Sequence, residues 1–437
     1  VVTVVTGWQI ARAAAAERWS SWRSTRRPKN RRREPTMLAH LRFDLKYALR
    51  SHAKHPGLAF LALLTLALGV GAGTAIFSVV NGVLLRPLPY ADGEGLVSIQ
   101  VNSGIGSSEG FYDLSEPEFL DFGTQISSFA GIAGFSGAEV TLGDSLAPRR
   151  VRVLRTTASL FPLLGVEPLL GRAFSADEDR PGAARVIVLS HGMWQAEFGG
   201  DPGAVGRSLI LNDEPVTVIG VMPPGFAFGG PGWDAYSQLQ LDRENPWERN
   251  NHYLPTVARL APGATLRGAR SEMDVLAARS TQAYPAYYPN TGLRVQIRPL
   301  QDAIVGPVRT PLYILLAAVG FVLLTACVIV ANLLMARGEA RKREIAVRAA
   351  IGATGGRITG QLLTESFLLA ALGGIAGVLV ALLGIEVLLA MAPPGLPRIE
   401  EIGLDARVLM FALLSAFGTG LIFGMITVLQ ARKRDVQ

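Results

Sequence analysis

One cysteine among 437 residues excludes a disulfide framework and any multi-cysteine zinc or iron–sulfur centre. Charge is scarce too. Asp, Glu, Lys and Arg make up 18%, against roughly 25% in an ordinary soluble domain. There are five lysines, Lys29, Lys46, Lys54, Lys342 and Lys433, and none follows a glycine. The sequence therefore lacks the phosphate-cradling loop that ends in Gly-Lys-Ser/Thr, and these residues cannot be an ATP-hydrolysing motor. The five histidines (His40, His52, His55, His191, His252) have no His-Glu-x-x-His spacing, which argues against a zinc hydrolase. Ser145 and Ser190 lack nucleophile-elbow surroundings. Gly69-Val70-Gly71-Ala72-Gly73 lies inside an apolar run and is no dinucleotide loop. No catalytic residue, metal site or cofactor is assigned, and the chain reads as a non-enzyme.

What the sequence has is long apolar runs. No charged residue occurs from Gly57 to Leu85, from Thr310 to Ala336, from Ser366 to Ile385 or from Val408 to Ala431. A bilayer core about 30 Å thick needs roughly 20 apolar helical residues, so four transmembrane helices are predicted. About 220 residues separate the first two runs, and about 20 to 30 separate each later pair. The fold class expected is an α-helical membrane protein with four transmembrane helices. A large extracytoplasmic mixed α/β domain is inserted between helices 1 and 2.

Basic residues set the sides. Arg42, Lys46, Arg50 and Lys54 precede the first run, Arg337 to Arg357 hold six basic residues, and Arg432, Lys433 and Arg434 follow the fourth. By the positive-inside rule both termini and the 337–357 loop are cytoplasmic. The segments assigned to the cytoplasm carry 22 basic and 6 acidic residues, and the remainder carries a net −9 of the overall +7. A nucleic-acid reading of the pI of about 9.7 loses its basis, because the surplus is a topology signal. Residues 1–36 hold nine basic residues and are expected to be a disordered lead upstream of a start at Met37. Leu38, Leu41, Leu45 and Leu49 recur at helical spacing opposite Arg42, Lys46 and Arg50. Residues 37–56 thus read as an amphipathic helix on membrane lipid.

The expected divisions continue as span 57–85, external domain 86–309, span 310–336, cytoplasmic coupling segment 337–357, span 358–390, external loop 391–407, span 408–431 and tail 432–437. Within the external domain, strands are predicted at Leu96–Val101, Arg150–Leu154, Arg185–Leu189, Ser208–Leu211 and Val216–Val221. Asn212-Asp213-Glu214-Pro215 reads as a hairpin turn joining the last two. Helices are predicted at Ser115–Phe122, with Pro117 placed as an N1 proline, and at Thr265–Tyr284, with Ala269, Met273, Leu276 and Ala277 apolar.

Two stretches resemble a known family. Leu164-Gly165-Val166-Glu167-Pro168-Leu169-Leu170-Gly171-Arg172, Val188-Leu189-Ser190-His191-Gly192-Met193-Trp194 and Val218-Ile219-Gly220-Val221-Met222-Pro223-Pro224-Gly225-Phe226 are similar, in order and spacing, to the periplasmic core domain of MacB-type ABC transporter permeases. Arg343-Glu344-Ile345-Ala346-Val347-Arg348, then Gly352-Ala353, resembles the FtsX-like permease signature. The likeness is greatest to the acidobacterial-type duplicated permeases, here in single copy, since motifs 164–174 and 341–353 do not recur. Met425-Ile426-Thr427-Val428-Leu429-Gln430 departs from the "P-A-L-Q" expected after Gly424.

Arg341, Glu344 and Arg348 form a charged stripe on a helix that Gly352 would stop. The resemblance implies that this segment docks on a cytosolic ABC ATPase subunit, with Arg341, Arg343, Glu344, Arg348 and Gly352 as contact candidates. Three small-residue pairs, Gly69/Gly73, Gly373/Gly377 and Gly420/Gly424, mark close helix packing. Glu365 and Glu386 flank the third span and read as interfacial. The family implies a permease working by mechanotransmission in export or efflux, in the bacterial inner membrane with its domain periplasmic. A second permease copy is implied, as homodimer or pseudo-dimer, and a periplasmic adaptor is a further candidate partner. The alternative is an FtsX-like signalling or scaffold subunit that regulates an envelope enzyme.

Overall fold

The computed structural model describes residues 37–54, 56–104, 110–143, 148–230, 232–242, 249–340, 347, 350–351, 355–391 and 398–434. The expected lead 1–36 and the end of the tail lie outside the described residues.

In chain order, α1 (Met37–Ala53) and α2 (Pro56–Val80) come first, and α2 runs on into one π-helical turn, Asn81–Leu85. Next are β1 (Leu96–Asn102), α3 (Glu116–Gln125), β2 (Phe129–Leu142) and β3 (Arg149–Thr156). They are followed by α4 (Leu160–Leu164), β4 (Leu170–Gly171), β5 (Val186–Leu189), α5 (His191–Phe198), β6 (Ser208–Leu211) and β7 (Glu214–Val221). β8 (Ala235–Gln238), β9 (Thr256–Leu260), α6 (Leu266–Ala283) and β10 (Arg294–Pro299) complete the α/β portion. The chain then enters α7 (Leu300–Ala340), α8 (Gly355–Ala390) and α9 (Ala406–Arg434). Among the described residues α2 with its π turn, α7, α8 and α9 are long and apolar enough to cross a membrane.

By internal contacts the chain divides into one unit of Thr65–Val328 with Gly373–Ala416, and another of Val1–Leu64, Ile329–Leu372 and Phe417–Gln437. In the first, a ten-stranded mixed sheet runs β10-β1-β9-β2-β3-β8-β5-β7-β4, with β6 on β7 and β2. One apolar core lies between β1, β9, β10 and helices α3 and α6. A second packs α5 on β5 to β8, and a central one gathers α4 with Phe161, Phe174, Phe228 and Tyr236. A fourth, built on Ile76, Val80, Val83, Leu312, Ala381 and Ile385, belongs to the long helices.

Local rules explain much of this. Thr265 caps α6 by accepting from the Gly268 N–H at 3.1 Å, and Ala269, Met273, Leu276 and Ala277 form its buried stripe. Ser115 caps α3, and Glu118 reaches back to the Ser115 N–H at 2.8 Å. Glu116 occupies the first helical position, so Pro117 stands second rather than at N1. The hairpin turn is shorter than expected. Asn212 and Asp213 alone make it, at φ 49° and 64°, as a two-residue turn with both central residues left-handed requires. Glu214 and Pro215 already pair in β7, Pro215 opposite Ile210.

Strands β2, β4, β8, β9 and β10 are absent from the sequence reading. β2 is the longest strand, 14 residues, and its Gly131, Gly134 and Gly137 weaken any strand signal. Two of those glycines are there for contact. A Cβ at Gly137 would lie 2.6 Å from the Trp233 ring, and one at Gly134 would lie 3.0 Å from Leu254.

Candidate functional site

The segment that leaves α2 for the sheet, residues 83–92, is held by five different parts of the larger unit. A helix end leaves about four backbone carbonyls without helical partners. Here the π turn closes with the Arg86 N–H on the Asn81 carbonyl at 2.9 Å, and side chains satisfy the carbonyls beyond it. Arg398, from the turn before α9, donates through Nη1 to the Arg86 carbonyl at 2.6 Å and the Val83 carbonyl at 3.4 Å. Its Nη2 donates to the Pro87 carbonyl at 2.8 Å. Gln301, at the start of α7, donates to the carbonyls of Leu84 (3.0 Å) and Arg86 (3.3 Å).

Arg398 is itself fixed. Glu401 accepts from its Nε and its Nη2, each at 2.8 Å, the two-pronged geometry that a guanidinium offers a carboxylate. Its side chain is only 7% exposed, so the charge is neutralised where water is scarce. A cation at a helix C-terminus also meets the negative end of the helix dipole.

Two polar side chains on α2 and its π turn reach the turn before α9. Ser78 Oγ donates to the Gly403 carbonyl at 2.7 Å. Asn81 Nδ2 donates to Asp405 Oδ2 at 2.8 Å, while Asp405 Oδ1 accepts from the Val408 N–H at 2.9 Å and so caps α9. Thr74 Oγ1 donates back to its own helix at Val70. Burial works against the charge on Asp405, but the Val408 N–H and the Asn81 amide hold its carboxyl below the ordinary range. Gly82 lets the loop backbone lie on the π turn, since a Cβ there would be 2.9 Å from the Glu401 carbonyl oxygen.

The far end of the segment is clamped by the sheet. Arg259 on β9 donates to the carbonyls of Ala91 (2.7 Å), Asp92 (2.8 Å) and Leu163 (2.6 Å). The Ala91 N–H donates to the Leu164 carbonyl at 3.3 Å, and Tyr90 Oη donates to the Ala227 carbonyl at 2.6 Å. Burial, then the nearby Glu401 charge, pushes the Tyr90 hydroxyl above its usual range. The junction holds no nucleophile and base in contact. What it offers is stiffness: hydrogen bonds with short arms, several of them charge-assisted, join the end of α2 to the α8–α9 turn, to α7 and to the sheet.

A second buried network lies between α3 and residues 249–254. Glu118 accepts from Tyr288 Oη at 2.9 Å and faces His252 Nε2 at 3.4 Å. Arg249 donates to Asp121 at 2.9 Å and lies over the Tyr284 ring at 3.8 Å. Burial disfavours the His252 cation, yet Glu118, the Asn250 backbone and the Asp113 charge together raise the imidazole above its ordinary value. Burial raises Asp113. Glu118 is paired with His252 and Asp121 with Arg249.

Arg341, Arg343, Glu344, Arg348 and Gly352 lie outside the described residues. The six paired glycines all lie within helices, each of them against a neighbouring one. A Cβ at Gly69 would meet Ala326 Cβ and Leu323 at 3.2 Å, and one at Gly73 would reach Val319 at 3.8 Å. Gly373 faces Leu66 at 2.7 Å, Gly377 faces Val70 at 3.0 Å, Gly420 faces Ala370 at 2.9 Å and Gly424 faces Leu363 at 2.5 Å. Glu365 is buried, at 7% exposure, and Glu386 is exposed.

Sequence reasoning passed over Gly71 and Gly374, whose Cβ positions would lie 2.7 Å from Val380 and from Ala416. Arg398, Glu401 and Asp405 fall within the expected external loop 391–407, where no local pattern gives Arg398 or Glu401 a role. An aspartate directly before an apolar run, as Asp405 precedes Ala406, is a cap signal that was available.

A model of the MacB-like periplasmic core domain matches residues 59–276, and a model of the FtsX-like permease C-terminal region matches residues 316–436. The chain belongs to the MacB/FtsX-type ABC permeases. Among curated members of the family, it is 24% identical over 417 residues to the macrolide export ATP-binding/permease protein MacB of Wolinella succinogenes. That match covers 92% of this chain and 61% of that protein. It is 24% identical over 282 residues to the pyoverdine export ATP-binding/permease protein PvdT of Pseudomonas syringae pv. tomato, covering 63% of this chain and 40% of that one. The chain thus spans about three fifths or less of the length of these relatives. The crystal structure of the periplasmic region of MacB from Actinobacillus actinomycetemcomitans matches with TM-score 0.36 and 14% identity, over 52% of this chain and 95% of that one. The extracellular domain of the noncanonic ABC-type transporter YknZ from Gram-positive bacteria matches with TM-score 0.33 and 12% identity, over 46% and 99%.

Proposed function

We propose that this permease is the transmembrane subunit of an ABC-type transporter and works by moving its α/β domain rather than by passing cargo between its helices. ATP hydrolysis by a separate cytosolic ATPase supplies the movement, and the domain delivers it outside the inner membrane. The observation that carries this reading is the junction at residues 83–92. Arg398, Gln301 and Arg259 fasten one short segment to the α8–α9 turn, to α7 and to β9, so the domain cannot float on a loose linker. Both termini are cytoplasmic in this reading, the domain is inserted between the first and second of four spans, and a second permease copy completes the unit. A periplasmic adaptor would receive the stroke.

Arg341, Arg343, Glu344, Arg348 and Gly352 are the proposed ATPase contacts, a charged face followed by a helix stop. Reversing the charge in Arg348→Glu should reduce ATPase activity co-purifying with the tagged permease from native membranes at least tenfold, with the permease extracted in equal amount. Undiminished co-purification by the variant would sink the docking assignment. Absence of any ATPase from the wild-type eluate would sink the permease reading itself.

A further inference from the structure

Two uncommon backbone features face each other at the outer end of α2. One is the five-residue π turn Asn81–Leu85. Such turns are rare, occur as single-turn insertions and hold one residue more than an α-helical turn. The other is Arg398, a non-glycine residue in the left-handed region at φ 59°, a conformation that persists only where its surroundings impose it. The bonds between them bridge the insertion. Arg398 Nη1 spans the Val83 carbonyl inside the π turn and the Arg86 carbonyl after it. Gln301 spans Leu84 and Arg86 in the same way. On the near side, Asn81 is tied to the cap of α9 through Asp405, and Gly82 leaves no space between the π turn and the Glu401 backbone.

The alternative register is simple to write. If the Leu85 N–H replaces the Arg86 N–H on the Asn81 carbonyl, the π turn becomes an α turn. Everything past it then turns by up to about 100° and advances by about 1.5 Å, the step of one α-helical residue. Val83 and Arg86 carbonyls would no longer point at one guanidinium. The segment so turned is the one that Arg259 fixes to β9 and Leu164 to α4.

We propose that the outer turn of α2 is a two-register joint, held in its π register by Arg398, so that withdrawal of the α8–α9 turn lets it wind into α and rotates the α/β domain. Arg398 is then a positioning residue that reads the register and releases it. The inference deepens the permease reading above, but it is testable with no ATPase present. Its failure would leave that reading standing, and loss of ATPase co-purification would leave the joint standing.

The test uses the full chain in lipid nanodiscs, with Cys327→Ser as background. Spin labels replace exposed Ser208 on β6 and Leu413 on α9. Wild type should give one narrow distance distribution. Arg398→Ala should add a second distance, with amide exchange in residues 82–86 at least tenfold faster. Arg398→Lys keeps the charge but not the planar fork that reaches the Val83, Arg86 and Pro87 carbonyls and Glu401 together, and should populate the same second distance more weakly. Deletion of Leu84, which removes the inserted residue, should give the second distance alone, unchanged by further replacement of Arg398. An unaltered single distance in both Arg398 variants overturns the joint. So does a deletion variant with the wild-type distance, or a loss of folded protein in all variants without any second distance.

Discussion

At the scale of single residues, what decides behaviour is whether a polar group has been given a partner. Glu272 on α6 is a clear instance. It accepts from the Ser127 N–H at 2.7 Å, the Ser127 hydroxyl at 2.9 Å and the Ser128 N–H at 2.9 Å, gripping the connection between α3 and β2. Hydrogen bonds from Ser128 and Ser127 hold its carboxyl down to about 2. Because the folded value lies below the ordinary 4.5, its contribution to stability is present above that pH and is lost as pH falls toward about 2. Glu272→Gln should lower stability by about 1 kcal/mol at pH 7 and flatten the loss between pH 5 and 3. Thermal unfolding of wild type and variant across that range checks it, and parallel pH slopes would refute it. Nothing local in the sequence marks Glu272, since its partners lie 144 and 145 positions away.

At the scale of elements, the glycine run of α2 shows how far periodicity carries. Successive helical residues turn by about 100°, so Gly69 and Gly73 share a face while Gly71 points away from them. The first pair lies against α7 through Leu323, Ala326 and Val319, and Gly71 lies against α8 through Val380 and Gly377. One run therefore lets two helices approach, whereas a pair pattern read from sequence registers one. Gly71→Val should destabilise the extracted protein by roughly 1–3 kcal/mol, the usual cost of overpacking. Gly320→Val, where a Cβ would meet nothing within 4 Å, should be close to neutral. Melting temperatures of the two variants in the same detergent decide it, and equal shifts would contradict the assignment. The strands divide on similar lines. β6 and β7 carry alternating or β-branched runs around a turn and are legible. β2 is hidden because its glycines answer to Trp233 and Leu254, neither of them a neighbour in sequence.

For the whole molecule, the charge imbalance is the strongest statement the chain makes about itself, with an excess of basic residues in the segments assigned to the cytoplasm and a net −9 elsewhere. In a Cys327→Ser background, a cysteine at Ser208 should react with a membrane-impermeant maleimide in spheroplasts, and one at Gln437 should react only after lysis. The opposite pattern would invert the proposed topology. The apolar runs, the basic flanks, the presence of a hairpin turn from Asn212 and the family motifs were determined by sequence alone, because each is a property of adjacent residues or of a fixed period. Tertiary structure decided that Arg398, Gln301 and Arg259 meet at residues 83–92, and that β2 is an interior strand of a ten-stranded sheet. The separations involved, 312 positions from Arg398 to Arg86 and 168 from Arg259 to Ala91, leave no periodic trace. The carbonyls that those arginines bind are the same atoms in every residue, so which of them face a guanidinium is fixed only by the folded path of the chain.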